Sequence, residues 1–131
     1  MESAPVDASA PLDGIRVLDV GSGPVSGIAT AVLADFGADV VKVEPPGGER
    51  FRALAASPLW LRGKRSAVAD LQNADGRGFA RELARACDVL VLAGPPSRAA
   101  KWKLTPDDLA QLNPRAVHCQ ITPWGPRGAL A

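Results

Sequence analysis

The segment from Ile15 to Glu44 restricts the possible folds more than any other part of the chain. Ile15-Arg16-Val17-Leu18-Asp19-Val20 is a short apolar run that ends in glycines and reads as a buried strand. Gly21-Ser22-Gly23-Pro24-Val25-Ser26-Gly27 follows as a tight turn. Ile28, Val32, Leu33 and Phe36 then fall on one apolar helical face, and Gly37 suits the helix end. Val40-Val41-Lys42-Val43-Glu44 is a second strand. Strand, glycine turn, helix and strand together make one βαβ crossover of about 30 residues.

The remainder repeats this alternation. Pro45-Pro46-Gly47-Gly48 is a loop, and the stretch through Trp60 has room for a short helix. Ser66 to Leu71 reads as a short strand, and Asn73-Ala74-Asp75-Gly76 as a helix start. Phe79, Leu83, Ala86 and Cys87 carry that helix, with Arg77, Arg81 and Arg85 on another face. Val89-Leu90-Val91-Leu92 is uniformly apolar, as in a parallel strand covered on both sides. Thr105 is an N-cap, Pro106 fits the first helical position, and Asp107 and Asp108 suit the positive end of the dipole. Asn113-Pro114 ends that helix, and Ala116 to Ile121 is the last strand.

The fold class expected is therefore α/β: a Rossmann-like open, mostly parallel sheet with flanking helices. Residues 1–10 read as a flexible tail and 11–131 as one α/β segment. Ligands of such sheets bind beyond the carboxyl ends of the strands. Those ends lie near Gly21–Gly27, Glu44–Gly48, Ala93–Pro96 and Thr122–Trp124.

Composition excludes several classes. Fifteen basic against 14 acidic side chains leave a formal charge of +1, which gives no support to nucleic-acid or membrane-surface binding. Met1 to Ala10 has neither a basic start nor an apolar core, so no signal peptide is read there, and a cytoplasmic protein is expected. Cys87 and Cys119 form neither a disulfide framework nor a zinc pattern, and both are expected to be buried free thiols.

The glycine turn admits nucleotide-type ligands, because glycines let the backbone approach and a helix N-terminus offers free N–H groups. A dinucleotide site would use Gly21 and Gly23 with Glu44 on the ribose, but position 26 is Ser. Val17-Leu18-Asp19-Val20-Gly21-Ser22-Gly23 is similar to the first motif of Rossmann-like S-adenosylmethionine methyltransferases, with Val25 in place of their third glycine.

A third reading covers the whole chain. Its blocks are Pro11-Leu12-Asp13-Gly14-Ile15-Arg16-Val17-Leu18-Asp19, Leu33 to Gly48, and Gly63-Lys64-Arg65-Ser66 followed by Asp70-Leu71 and Asp75-Gly76. Further blocks are Ala86 to Val91, Leu109-Ala110-Gln111-Leu112-Asn113-Pro114-Arg115, and Ile121-Thr122-Pro123-Trp124-Gly125-Pro126-Arg127-Gly128. In that order they resemble the N-terminal segment of the family III CoA-transferases, which include formyl-CoA and carnitine-CoA transferases and α-methylacyl-CoA racemases.

The resemblance implies an activity. An aspartate attacks an acyl-CoA thioester, giving a mixed anhydride and then an enzyme–CoA thioester, and CoA passes to a carboxylic acid acceptor. In the family that aspartate lies downstream of the Trp-Gly block, and none of the aspartates here stands at that place. The expectation is a segment without catalytic residues, contributing part of the coenzyme A site and inactive alone. No covalently bound cofactor is implied; coenzyme A or acyl-CoA is the substrate. The implied positions are Pro24 and Val25 after the first strand, Pro45 after the second, and Ala69-Asp70-Leu71-Gln72 after the third. Ala93-Gly94-Pro95 and the basic Lys101, a partner for a CoA phosphate with Arg98 near it, complete them. Where some members carry Arg, Lys and Asn, this chain has Pro45, Gln72 and Ala93. A degenerate, non-catalytic binding or assembly domain is the alternative. Members form interlocked homodimers, so a homodimer or association with the rest of a parent chain is implied, with no nucleic-acid or membrane partner.

Other conspicuous residues have plain structural readings. His118 reads as a hydrogen-bonded strand histidine, Glu44 as a strand-end acid, and Arg77, Arg81 and Arg85 as solvent-facing. Trp60, Trp102 and Trp124 read as packing residues. The clusters Arg62-Lys64-Arg65 and Arg50-Arg52 read as solvated loop faces, with phosphate contact the alternative.

Overall fold

Alternation along each apolar run decides which side chains meet on which face of the sheet, and the computed structural model follows it over the described residues, 10–125, 127 and 128. In chain order the elements are β1 (Arg16–Asp19), α1 (Pro24–Asp35), β2 (Asp39–Glu44), a 3-10 turn (Arg50–Ala53), α2 (Ser57–Leu61), β3 (Lys64–Val68) and α3 (Ala74–Ala86). Then come β4 (Val89–Ala93), α4 (Pro96–Trp102), α5 (Pro106–Leu112) and β5 (Val117–Ile121). All four pairings are parallel, and the strand order is β3-β2-β1-β4-β5. The order reverses at β1, which is where such sheets open a crevice. The expected α/β fold is thus present.

Each face has its own core. Leu18, Leu90 and Leu92 pack with Ala80, Ala84, Leu104 and Leu109 beneath α3, α4 and α5. Val17, Val40 and Val91 pack on the other face with Leu33 and Ala34 of α1. Asn73 caps α3 by accepting from the Gly76 amide at 2.8 Å. Thr105 and Asp108 form a reciprocal capping box at α5, as the Thr-Pro-Asp-Asp signal required.

Several expectations need correction. Helix α1 starts at Pro24, inside the stretch read as a turn, because Pro fits the first helical position. Its face carrying Ile28, Val32 and Phe36 is 44–56% exposed, together with Val25. The buried side is instead Ser26, Gly27, Thr30 and Ala31. Small residues let the helix sit close to its neighbours: a Cβ on Gly27 would lie 2.6 Å from the Trp60 ring. Strand β3 begins at Lys64, two residues earlier than read, and ends at Val68, three earlier, and α4 fills a stretch in which no element was read. Cys87 is buried, but Cys119 is exposed on the edge strand β5. The tail expected over residues 1–10 falls, Ala10 apart, outside the described residues. No helix among the described residues is long and apolar enough to cross a membrane.

Candidate functional site

Strand register assembles a polar cluster within the α1 face of the sheet. Asp19 and Lys42 are partners across β1 and β2, and Lys42 is opposite Ser66 on β3. Lys64, two residues before Ser66, shares that face. The Lys42 ammonium lies 3.6 Å from Asp19 Oδ2 and 3.4 Å from Glu49 Oε2, and donates to the Gly21 carbonyl at 2.9 Å. Lys64 Nζ lies 3.3 Å from Asp19 Oδ2 and donates to the Gly27 carbonyl at 2.8 Å. All four charged side chains are 5% exposed or less, and two cations balance two carboxylates. Burial pulls the Lys64 pKa down, and Asp19 opposes that shift.

This network fixes the glycine turn. Asp19 Oδ1 accepts the Gly21 amide at 3.0 Å, and Asp19 Oδ2 accepts the Thr30 hydroxyl at 2.8 Å. The Glu49 carboxylate accepts the Ser22 hydroxyl at 3.0 Å and the Gly23 amide. Position 21 has no space for a side chain, since a Cβ would lie 1.9 Å from Ser26 Oγ. The N-terminus of α1 therefore already holds a carboxylate of its own chain, at the place where a nucleotide phosphate would sit in the dinucleotide reading.

Glu44 ends β2 beside this turn. Arg52 reaches it through two hydrogen bonds of 2.7 and 2.6 Å, and the Ser66 hydroxyl donates to it as well. The Arg52 hydrogen bonds lead in holding the Glu44 pKa down to about 2, with Ser66 adding to them against the cost of burial. Glu44 is thus the strand-end acid expected, with both oxygens engaged by its own chain.

A cavity of about 680 Å³ opens over the carboxyl ends of β1, β2 and β3, within the usual range for small-molecule sites. Pro24 and Val25 line it from α1, and Pro45 from the loop after β2. Ala69, Asp70, Leu71 and Gln72 line it from beyond β3. Ala93, Gly94, Pro95 and Lys101 are not among its lining residues, though Lys101 Nζ donates to Gln72 Oε1 at 2.6 Å. The Thr122–Trp124 end does not contribute either. Three acids line the cavity, Glu44, Glu49 and Asp70. Asp70 accepts the Gln72 amide at 2.9 Å and the Asn73 side-chain amide at 3.1 Å.

Sequence reasoning passed over Phe51, read Trp102 as a packing residue, named Arg98 only as a neighbour of Lys101, and weighed Arg50 only as one of a basic pair; all four line the cavity. The glycine loop before Phe51 and the Pro95-Pro96 pair opening α4 were the available signals. The basic cluster at 62–65 lies elsewhere: Arg62 pairs with Asp35 and Arg65 with Asp39 at the surface, and Lys64 is in the buried network. His118 makes a 2.9 Å hydrogen bond with the Leu104 carbonyl, the structural role expected of it. Arg81 gives its N–H to the Lys103 carbonyl at 2.8 Å, and Arg77 binds the Gln72 carbonyl at the same distance.

Comparison with known proteins separates the nucleotide readings that the turn alone left open. The profile of CoA-transferase family III matches residues 12–131. A succinate–glutarate CoA-transferase of Agrobacterium fabrum is 39% identical over 140 residues, covering 92% of this chain and 34% of that protein. A probable fatty acyl-CoA transferase of Mycobacterium tuberculosis is 37% identical, over 90% of this chain and 33% of its own length. A crystal structure from that organism superposes with a TM-score of 0.85 at 36% identity, covering 92% of this chain and 36% of the other. A CaiB/BaiF family protein of Brucella suis gives 0.83 at 31% identity, over 92% and 35%. The chain spans about a third of the length of the curated relatives it matches.

Proposed function

This chain belongs to CoA-transferase family III, and from that premise we propose that it forms the coenzyme A-holding part of an acyl-CoA:carboxylate CoA-transferase. In this reading it is the N-terminal segment of a longer protein, and the nucleophilic aspartate is carried outside these residues. The observation that carries the reading is the cavity at the strand ends, lined by seven of the eleven positions the family resemblance assigned to coenzyme A. Its walls suit that ligand. Val20, Val25, Leu71 and Phe51 offer apolar surface for a pantetheine arm, and the loops after β2 and β3 supply the polar rim.

The acids of the cavity support a nucleophile from elsewhere. Glu44 is held by Arg52, Glu49 by Lys42, Ser22 and Gly23, and Asp70 by its own turn. A carboxylate engaged in this way is a poor nucleophile, because attack would break those contacts and its lone pairs are already committed to them. Asp19 is sealed between two ammonium groups and plays a structural part. The reading further includes a cytoplasmic setting and association with a second copy or with the rest of a parent chain.

Titration calorimetry of the 131-residue chain with coenzyme A, beside a CoA-transfer assay with succinyl-CoA and a dicarboxylate acceptor, tests both halves. Binding without transfer is the expected pair of results. Absence of binding would remove the site, and measurable transfer by this chain alone would overturn the placement of the nucleophile.

A further inference from the structure

A coenzyme A molecule brings a diphosphate and a ribose phosphate into the cavity. The helix N-terminus that usually receives such anions is already occupied by Glu49. Pro45 and Gln72 line the cavity without charge. Charge neutralisation must therefore come from other side chains, and among the described residues the cavity has two cations on its wall, Arg50 and Arg98.

These two differ from most arginines here. Arg16, Arg52, Arg62, Arg65, Arg81 and Arg85 each lie within ion-pair distance of a carboxylate. Arg50 and Arg98 have no carboxylate partner among the described residues, and each is set over an aromatic ring instead. The Arg50 guanidinium carbon lies 4.6 Å from the centroid of Phe51, and that of Arg98 lies 5.7 Å from the Trp102 ring. Both rings line the same cavity. Stacking uses the flat face of a guanidinium and leaves its N–H edge for an oxyanion. Arg98 spends one of its five N–H donors on the Ala93 carbonyl at 3.1 Å, which fixes the group without neutralising it. Topology places the two apart: Arg50 follows β2, Arg98 follows β4, and β1 with its glycine turn lies between those strands.

We propose that Arg50 and Arg98, each backed by its ring, form a two-sided clamp for the phosphoryl groups of the ligand. The proposal rests on the coenzyme A reading for the identity of that ligand. It assigns the affinity of the phosphorylated end to two arginines and leaves the pantetheine end to the apolar wall.

The experiment is titration calorimetry of the 131-residue chain, R50Q, R98Q and the double variant with coenzyme A, pantetheine and inorganic pyrophosphate at two salt concentrations. Each single variant is expected to weaken coenzyme A about tenfold, in keeping with the loss of a charge-assisted bidentate contact, and to flatten its salt dependence. Pantetheine affinity should stay at the parent value. R50K and R98K keep the charge without the planar fork and should recover part of the loss. Both positions are at least partly exposed, and circular dichroism verifies the fold of each variant. Parent-like coenzyme A affinity in the double variant, or an equal loss for pantetheine, would overturn the clamp. Pyrophosphate binding that depends on both arginines, with no binding of coenzyme A, would keep the clamp and remove the coenzyme A reading. A parent chain that binds none of the three removes both.

Discussion

At Glu44 three residues separated in sequence combine into one electrostatic unit. Arg52 and Ser66 hydrogen-bond only the ionised carboxylate well, so they hold its pKa at about 2 against an ordinary 4.5. A depressed acid stabilises the fold above its unfolded pKa and loses that contribution as pH falls. The window here runs from 4.5 down toward 2. Glu44→Gln is therefore expected to lower stability by about 2 kcal/mol near neutrality, the scale of charged hydrogen bonds. It should also soften the fall in urea midpoint across that window; identical acid limbs in parent and variant would refute the linkage. The two thiols make a second contrast. Burial leads in pushing the Cys87 thiol up to about 11, while Cys119 is exposed. The thiolate is the reactive form, so at pH 8 a chromogenic disulfide should titrate one thiol per native chain and the second only in denaturant. Two fast equivalents in the native state would contradict the burial of Cys87.

The α1–α2 contact shows what governs packing at the scale of elements. Gly27 lets α1 close on Trp60, and Gly27→Ala would drive a methyl to 2.6 Å from that ring. Overpacking of this kind costs about 1–3 kcal/mol, so a thermal midpoint lowered by several degrees is expected, and an unchanged one would mean the ring moves freely. The same contact explains which elements the sequence disclosed. Strands β1, β2, β4 and β5 were legible because their apolar runs are bounded by glycine, proline and aspartate, and α5 because its capping box is written out in Thr105 to Asp108. The outward stripe of α1 was not legible. Periodicity weighs large apolar residues, whereas this helix packs through Ser26, Gly27, Thr30 and Ala31. The cavity was half legible for a related reason. Loop positions after each strand can be read along the chain, but Arg98 and Trp102 arrive from α4, whose helical start at a proline pair resembles a loop. The Lys42 network was hidden because one lysine in an apolar strand has no partner until register supplies Asp19.

At the scale of the whole molecule the sheet has, among the described residues, two open edges, β3 and β5, and one helix shows an apolar stripe to the outside. Val68 on one edge and Val117 on the other are 63% and 60% exposed. Unpaired strand edges and contiguous apolar surface favour contact between chains. Sedimentation velocity of the chain should therefore reveal association that grows with concentration and weakens in Val32→Glu. A monodisperse monomer at every concentration would show that these surfaces need no cover. The carboxylate of Glu49 has a different consequence, one of kinetics. Because it stands in for an anion at the first turn of α1, the cavity rim is organised before any ligand arrives. That turn does not have to order on encounter, so coenzyme A should bind in a single exponential phase whose rate climbs in proportion to its concentration. A rate that levels off would reveal a slow rearrangement; a straight line would mean that the protein, by carrying its own counter-charge, has set the site in advance.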